Sequence, residues 1–137
     1  MPSTSPEHTG RAQGEPSSLM ALSIRQPYAE AIIRGEKVEE YRSWSTNHRG
    51  PLVIHAASTK PRPADLAQYP RVDPGELVYG ALVGVVDVVD VLFDNHEECY
   101  VWILEKPRKL AEPLVCKGKL NLWQVPRDLA ERMAGQV

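Results

Sequence analysis

The stretch GALVGVVDVVDVL, residues 80–92, decides the fold. Valine is branched at Cβ, stiff at χ1 and suited to a pleated surface, so a run this rich in it reads as a strand. At its start both alternating faces are apolar, and such a strand must be covered on both sides, as in a closed barrel carrying a packed helix. Asp87 and Asp90 fall on opposite faces of an ideal strand, so at least one of them breaks the apolar pattern for a reason. Towards the C-terminus, residues 100–104 (YVWIL) and 120–124 (LNLWQ) read as two further strands, and Pro126 opens a short helix over 127–133. Towards the N-terminus, residues 51–57 (PLVIHAA) form a strand with proline at its first position, where a lost donor is tolerated. Residues 38–42 form another, and residues 22–25 a short one in which Leu22 and Ile24 alternate with Ser23 and Arg25. Between these two, Pro27 suits the first position of a helix, Tyr28, Ala29, Ile32 and Ile33 share one face, and Gly35 supplies a left-handed stop. That predicts a two-turn helix over 27–34. Residues 43–50 read as a loop, and 64–69 as a turn of helix in a mixed segment. With no repeat at a period of about 20–50 residues, five or so short strands with one early and one late helix define a mostly β or α+β domain, a small barrel.

The 137 residues suffice for one domain with one core. Residues 1–18 are Ser, Thr, Pro, Gly and charge without hydrophobic period, the composition of a disordered tail. Met20 directly precedes the first apolar run, which allows either translation from Met20 or a genuine flexible extension. No run approaches the roughly 18–20 apolar residues that span a bilayer, and the first residues lack a signal peptide's apolar segment. The chain therefore reads as soluble and cytoplasmic, with no membrane partner. Cys99 and Cys116 are isolated thiols without CxxC or histidine at ligand spacing, so neither a disulfide framework, a metal site nor a cofactor is indicated.

A net charge of -2 argues against a generally basic nucleic-acid binder. The charge is unevenly spread, however. Residues 25–71 hold eight basic and five acidic side chains, 72–98 hold seven acidic and no basic ones, and 99–125 hold five basic and two acidic. Two basic segments flank an acidic one.

The densest polar cluster is GEKVEEYRSW, residues 35–44. On an ideal strand Glu40 and Arg42 share a face with Val38, while Lys37, still near the helix-ending glycine, is free to aim back toward Glu40. A lysine, a carboxylate and an arginine converging at a strand edge suit a phosphate or a nucleobase edge, with Trp44 and Tyr41 available for stacking. The same residues also read as an exposed, salt-bridged strand worth about 0–1 kcal/mol per pair. His55 lies inside a strand, as a ligand or base or as a satisfied core residue. Trp102 and Trp123 fall in apolar strands and read as core. GxSxG, P-loop and GxGxxG signatures are all missing, which removes the common hydrolase and nucleotide-binding motifs.

LSIRQPY (22–28), GEKVEEYRSW (35–44) and RGPLVIHA (49–56), followed by the valine-rich strand and residues 100–105 and 118–123, together resemble the ASCH domain family of the PUA-like superfamily, in its small bacterial-type form. The signature G-x-K-x-x-E-x-R is met by Gly35, Lys37, Glu40 and Arg42. The resemblance implies a PUA-like β-barrel with a short helix after the first strand, spanning residues 19–125, with 1–18 as the tail and 126–137 as a short C-terminal helix and tail. It also implies binding of RNA, single-stranded nucleic acid or a modified nucleotide in a cleft lined by Lys37, Glu40 and Arg42. Proximity adds Ser23, Arg25, Gln26, Trp44, Arg49 and His55. An alternative is a small hydrolase with Lys37 and Glu40 as catalytic residues, either a ribonuclease or an N4-acetylcytidine amidohydrolase. The amidohydrolase branch uses a threonine three positions after its lysine, where this chain has Glu40.

Overall fold

The computed structural model describes residues 16–136. Most of the expected tail, residues 1–15, lies outside them. Pro16, Ser17 and Ser18 do not continue that tail: they begin strand β1 (Pro16–Ile24), six residues earlier than the apolar alternation indicates. The reason is a partner rather than a pattern. Ser17 Oγ donates to Val125 O at 2.7 Å, and β1 lies antiparallel to β6 (Leu122–Pro126), which gives an otherwise polar segment backbone to pair with.

After β1 come helix α1 (Tyr28–Ile33), β2 (Glu39–Arg42), β3 (Gly50–Ala56), helix α2 (Pro63–Ala67), a 3-10 turn at Pro74–Glu76, β4 (Ala81–Asp94), β5 (Cys99–Val115), β6 and helix α3 (Arg127–Ala134). The strands form one curled, half-barrel sheet in the order β2-β5-β4-β3-β1-β6. The mostly β, PUA-like architecture expected from the sequence is the observed one. All neighbours are antiparallel except β1 and β3, which run parallel with Ser23 opposite His55.

Both faces of the central strands are covered, as the apolar run at 80–92 requires. Ile24, Ile32, Ile33, Leu52, Ile54, Val86 and Trp102 pack between the sheet and α1, while Leu82, Leu110, Leu114, Trp123 and Val125 pack under Leu129 and Met133 of α3. Gly84 sets how closely α1 approaches: a Cβ there would lie 2.5 Å from Ile33 Cδ1 and 2.6 Å from Arg108 O. Helix α1 ends at Gly35, whose φ of +81° is the left-handed stop, and the amides of Glu36 and Lys37 then return to Ala31 O at 2.9 and 3.1 Å.

Two local expectations are corrected. Pro27 precedes the helix as its cap residue instead of opening it, and the buried Gln26 completes that cap, its Oε1 accepting from Glu30 N at 2.9 Å. β5 runs eleven residues past 104 to Val115, through Pro107 and Pro113. Prolines ordinarily argue against a strand. Here β4 pairs with β5 along almost its whole length, whereas β2 ends opposite Ile103, so beyond Leu104 one side of β5 has no strand neighbour among the described residues.

Candidate functional site

The short helix α1 and its glycine stop bring Lys37 back over β2, and β2 is held beside β1 by Arg42. The result is an open cleft of about 550 Å³, lined by the end of β1 (Ser23, Ile24, Arg25), by Tyr28 and Lys37, and by residues 40–44. That volume lies within the roughly 300–1,000 Å³ of sites that take small ligands. Lys37, Glu40 and Arg42 converge as the sequence spacing predicts. Glu40 is the pivot: it is 8% exposed, with Lys37 Nζ 3.5 Å from Oε1 and both Arg42 Nε and NH2 2.9 Å from Oε2. Arg42 NH2 also donates to Ser23 O at 3.1 Å, and Lys37 Nζ donates to Glu39 O. One carboxylate thus holds two cations in fixed positions and leaves the trio one charge positive.

Aromatic rings surround the trio. Lys37 Nζ lies 4.9 Å from the centre of the Tyr41 ring and 6.0 Å from that of Tyr28, within cation-π range. Tyr41 is half exposed, and its hydroxyl donates to Glu39 Oε1 at 2.6 Å, a bond that pushes its pKa up to about 12. Trp44 lines the cleft while packing edge-on against the buried Trp102, their ring centroids 5.0 Å apart at 89°.

Arg25 stands at the rim, ion-paired at 3.8 Å to Asp65 of α2. Asp65 is buried and collects the Tyr28 hydroxyl at 2.7 Å and the Arg62 amide at 3.0 Å. The Tyr28 bond, then those from Arg62, hold its carboxyl down to about 2. Sequence reasoning missed this support because 64–69 carries no apolar period. The only local trace is Asp65 three residues after Arg62 behind a proline, the layout of a helix start.

The other residues singled out in the sequence lie elsewhere. Arg49 does not line the cleft: it is 3.7 Å from Asp90 and donates to Thr46 O and His48 O. Gln26 is spent on the helix cap and on Val78 O. His55 is 2% exposed, behind Ser23. Its Nε2 is 2.8 Å from the Cys116 carbonyl, an acceptor, so Nε2 carries the proton, and Nδ1 accepts from Ser23 Oγ at 3.0 Å. Burial lowers its pKa and favours this neutral form. A second, smaller hollow of about 330 Å³ opens on the far side of Ser23 and His55, under Lys117, Gly118 and Lys119. Among the described residues no group of three or more His, Cys, Asp or Glu is placed to hold a metal ion, Cys99 and Cys116 are free thiols, and no helix is long and apolar enough to cross a membrane.

A curled, mostly β half-barrel with a short helix after its first strand, and a cationic cleft where that helix meets the sheet, is a PUA-like domain. The sequence model of the ASCH domain matches residues 22–114, and the chain belongs to the ASCH domain family. Among curated proteins it is similar to human Activating signal cointegrator 1, at 29% identity over 126 residues, and to the mouse protein of the same name, at 28%. These matches take in 76% of this chain and 22% of each relative, so the chain spans about a fifth of their length. Crystal structures of ASCH from Zymomonas mobilis share the fold. One superposes with a TM-score of 0.56 at 10% identity over 85% of this chain and 93% of that one. A mutant of that protein gives 0.57 at 10% identity over 87% and 98%.

Proposed function

We propose that this protein is a nucleic-acid binding module that takes RNA or another single strand, or a modified nucleotide within one, in the cleft around Lys37, Glu40 and Arg42. The observation that carries the reading is the fixed cation pair. Glu40 pins Lys37 and Arg42 in place without cancelling them, beside three aromatic rings, and that combination suits a phosphate with its base stacked alongside. Membership of the ASCH family, with the RNA binding its resemblance implies, agrees with it. The binding unit is the domain first delimited as residues 19–125, its first strand reaching back to Pro16, and it acts in the cytoplasm. The test is fluorescence anisotropy with short single-stranded RNA and DNA at rising salt. Affinity falls steeply with salt, and Lys37→Ala or Arg42→Ala weakens it about tenfold. No binding at low salt across both panels would end the reading.

One contact favours hydrolysis as a second reading. The alcohol absent at position 40 is supplied from another strand: Ser23 lines the cleft and donates to the neutral His55. Ser23 Oγ would attack an acyl carbon while His55 Nδ1 takes its proton. His55 then returns the proton to the leaving amine as the C–N bond breaks, and water releases the acyl group from Ser23. Time-dependent release of acetate from N4-acetylcytidine, lost in Ser23→Ala and in His55→Gln, is the expected result. Release unchanged in both variants removes this role.

A further inference from the structure

The hollow beyond Ser23 is separate from the Lys37–Arg42 cleft and has Ser23 and His55 in its lining. Ser23 is the shared wall: one side of it lines the Lys37–Arg42 cleft and the other lines the hollow under Lys117, Gly118 and Lys119. No carboxylate lines the hollow, and Lys117 and Lys119 make no ion pair among the described residues, whereas Arg25, Lys37, Arg42 and Arg49 each have one. The loop that carries the two lysines is held closely. His55 Nε2 fixes the Cys116 carbonyl at its start at 2.8 Å, and Gly118 lies so tightly on the wall that a Cβ there would be 2.5 Å from Ser23 Oγ and 2.7 Å from His55 Cε1. The glycine permits this close approach, and the exposed Lys117 and Lys119 flank it in the lining of the hollow. Leu120, 88% exposed, follows directly and offers an apolar surface next to those charges.

We infer that this hollow is a second nucleotide subsite, in which Lys117 and Lys119 hold the next phosphate of a single strand that passes over Ser23 from the cleft. Two cations on a pinned loop, with no ion pair and no carboxylate beside them among the described residues, are a place for a phosphodiester, whose charge needs no acidic partner from the protein. The exposed, apolar Leu120 beside them suits a ribose or the face of a base. The ligand is then at least a dinucleotide, read by a cleft that takes one unit and a hollow that takes the next. This rests on the binding reading above, and the experiment separates the two.

The measurement is affinity for mono-, di- and tetranucleotides of uridine, in ribo and deoxy forms, against salt. Wild type gains about tenfold from mono- to dinucleotide. Lys117→Ala/Lys119→Ala removes that gain, leaves mononucleotide affinity unchanged, and lowers the slope of log affinity against log salt by about 0.7, the value for one phosphate of a single strand. Lys37→Ala/Arg42→Ala weakens every probe. Both lysines are exposed, and an unchanged melting temperature shows that the variant is folded. If the lysine pair can be removed without loss at any length while dependence on Lys37 and Arg42 persists, the second subsite is wrong and the cleft reading stands. If wild type binds none of the probes, both fall.

Discussion

Two carboxylates organise the site, and they should respond differently to change. Glu40 is nearly buried and faces Lys37 and Arg42 together. Glu40→Ala leaves two partly buried cations without their partner, the situation in which breaking a buried pair costs about 3 kcal/mol. Thermal unfolding should show a melting point lower by about 10 °C. A loss under a few degrees would mean the trio is no more than a solvated surface network. Asp65 responds to pH instead. Its carboxyl sits below its ordinary value of 3.8, at about 2, because the Tyr28 hydroxyl and Arg62 stabilise the charged form. The unfolded chain therefore takes up this proton first, so the contribution is fully present above pH 3.8 and disappears as pH falls through about 2. Stability measured across that window in wild type and Asp65→Asn should converge at the acid end, and curves that stay parallel would rule out this coupling. His55 has the same sign: with its pKa lowered from 6.5 by burial, the stability of its neutral form is complete above pH 6.5 and drains as pH falls below it.

At the scale of elements, the cleft depends on where α1 stops and how near it lies to the sheet. Gly35 adopts φ +81°, and a Cβ there meets nothing closer than Pro107 Cγ at 3.8 Å, so Gly35→Ala carries only the backbone penalty, about 1 kcal/mol. Gly84→Ala is a steric matter. The new methyl would overlap Ile33 Cδ1 and the Arg108 carbonyl, and backbone cannot swing aside, so about 1–3 kcal/mol is lost. Denaturant unfolding of the two variants should rank Gly84→Ala as the more damaging, and the reverse order would place the constraint at the helix stop. Because α1 rests on β4 at Gly84, pushing it outward also shifts Tyr28 and Lys37 against β2, so Gly84→Ala should weaken binding although it lies outside the cleft.

For the whole molecule, the charge of -2 hides its distribution. Folding gathers cations from both basic segments, Lys37 and Arg42 from one and Lys117 and Lys119 from the other, on the two sides of Ser23. Acidic side chains of β4 meet cations of their own, Asp87 pairing with Arg108 and Asp90 with Arg49. A positive region this confined suits a short strand more than a duplex, whose charge extends along its whole length. A long duplex should therefore compete with a short single strand no better than a short duplex does. Competition that grows with duplex length would point to a more extended surface.

Periodicity and single-residue chemistry are local, and the sequence by itself determined what depends on them: the valine-rich central strand, the short amphipathic helix, its stop at Gly35, and the cluster Lys37, Glu40, Arg42 and Trp44 at one strand edge. Strand pairing joins residues far apart in the chain, and only the tertiary structure decided what depends on that. The parallel pairing of β1 with β3 set Ser23 opposite His55 and drew His55 away from the cleft that proximity in sequence suggested. Arg49, five residues after Trp44, faces Asp90 because β3 lies against β4. The long β4 made a strand of the proline-bearing half of β5, which no local pattern marks. Lys117 and Lys119 are placed by two long-range contacts that no local period encodes, the Cys116 carbonyl on His55, 61 residues away in the chain, and Gly118 on Ser23, about 95 residues away.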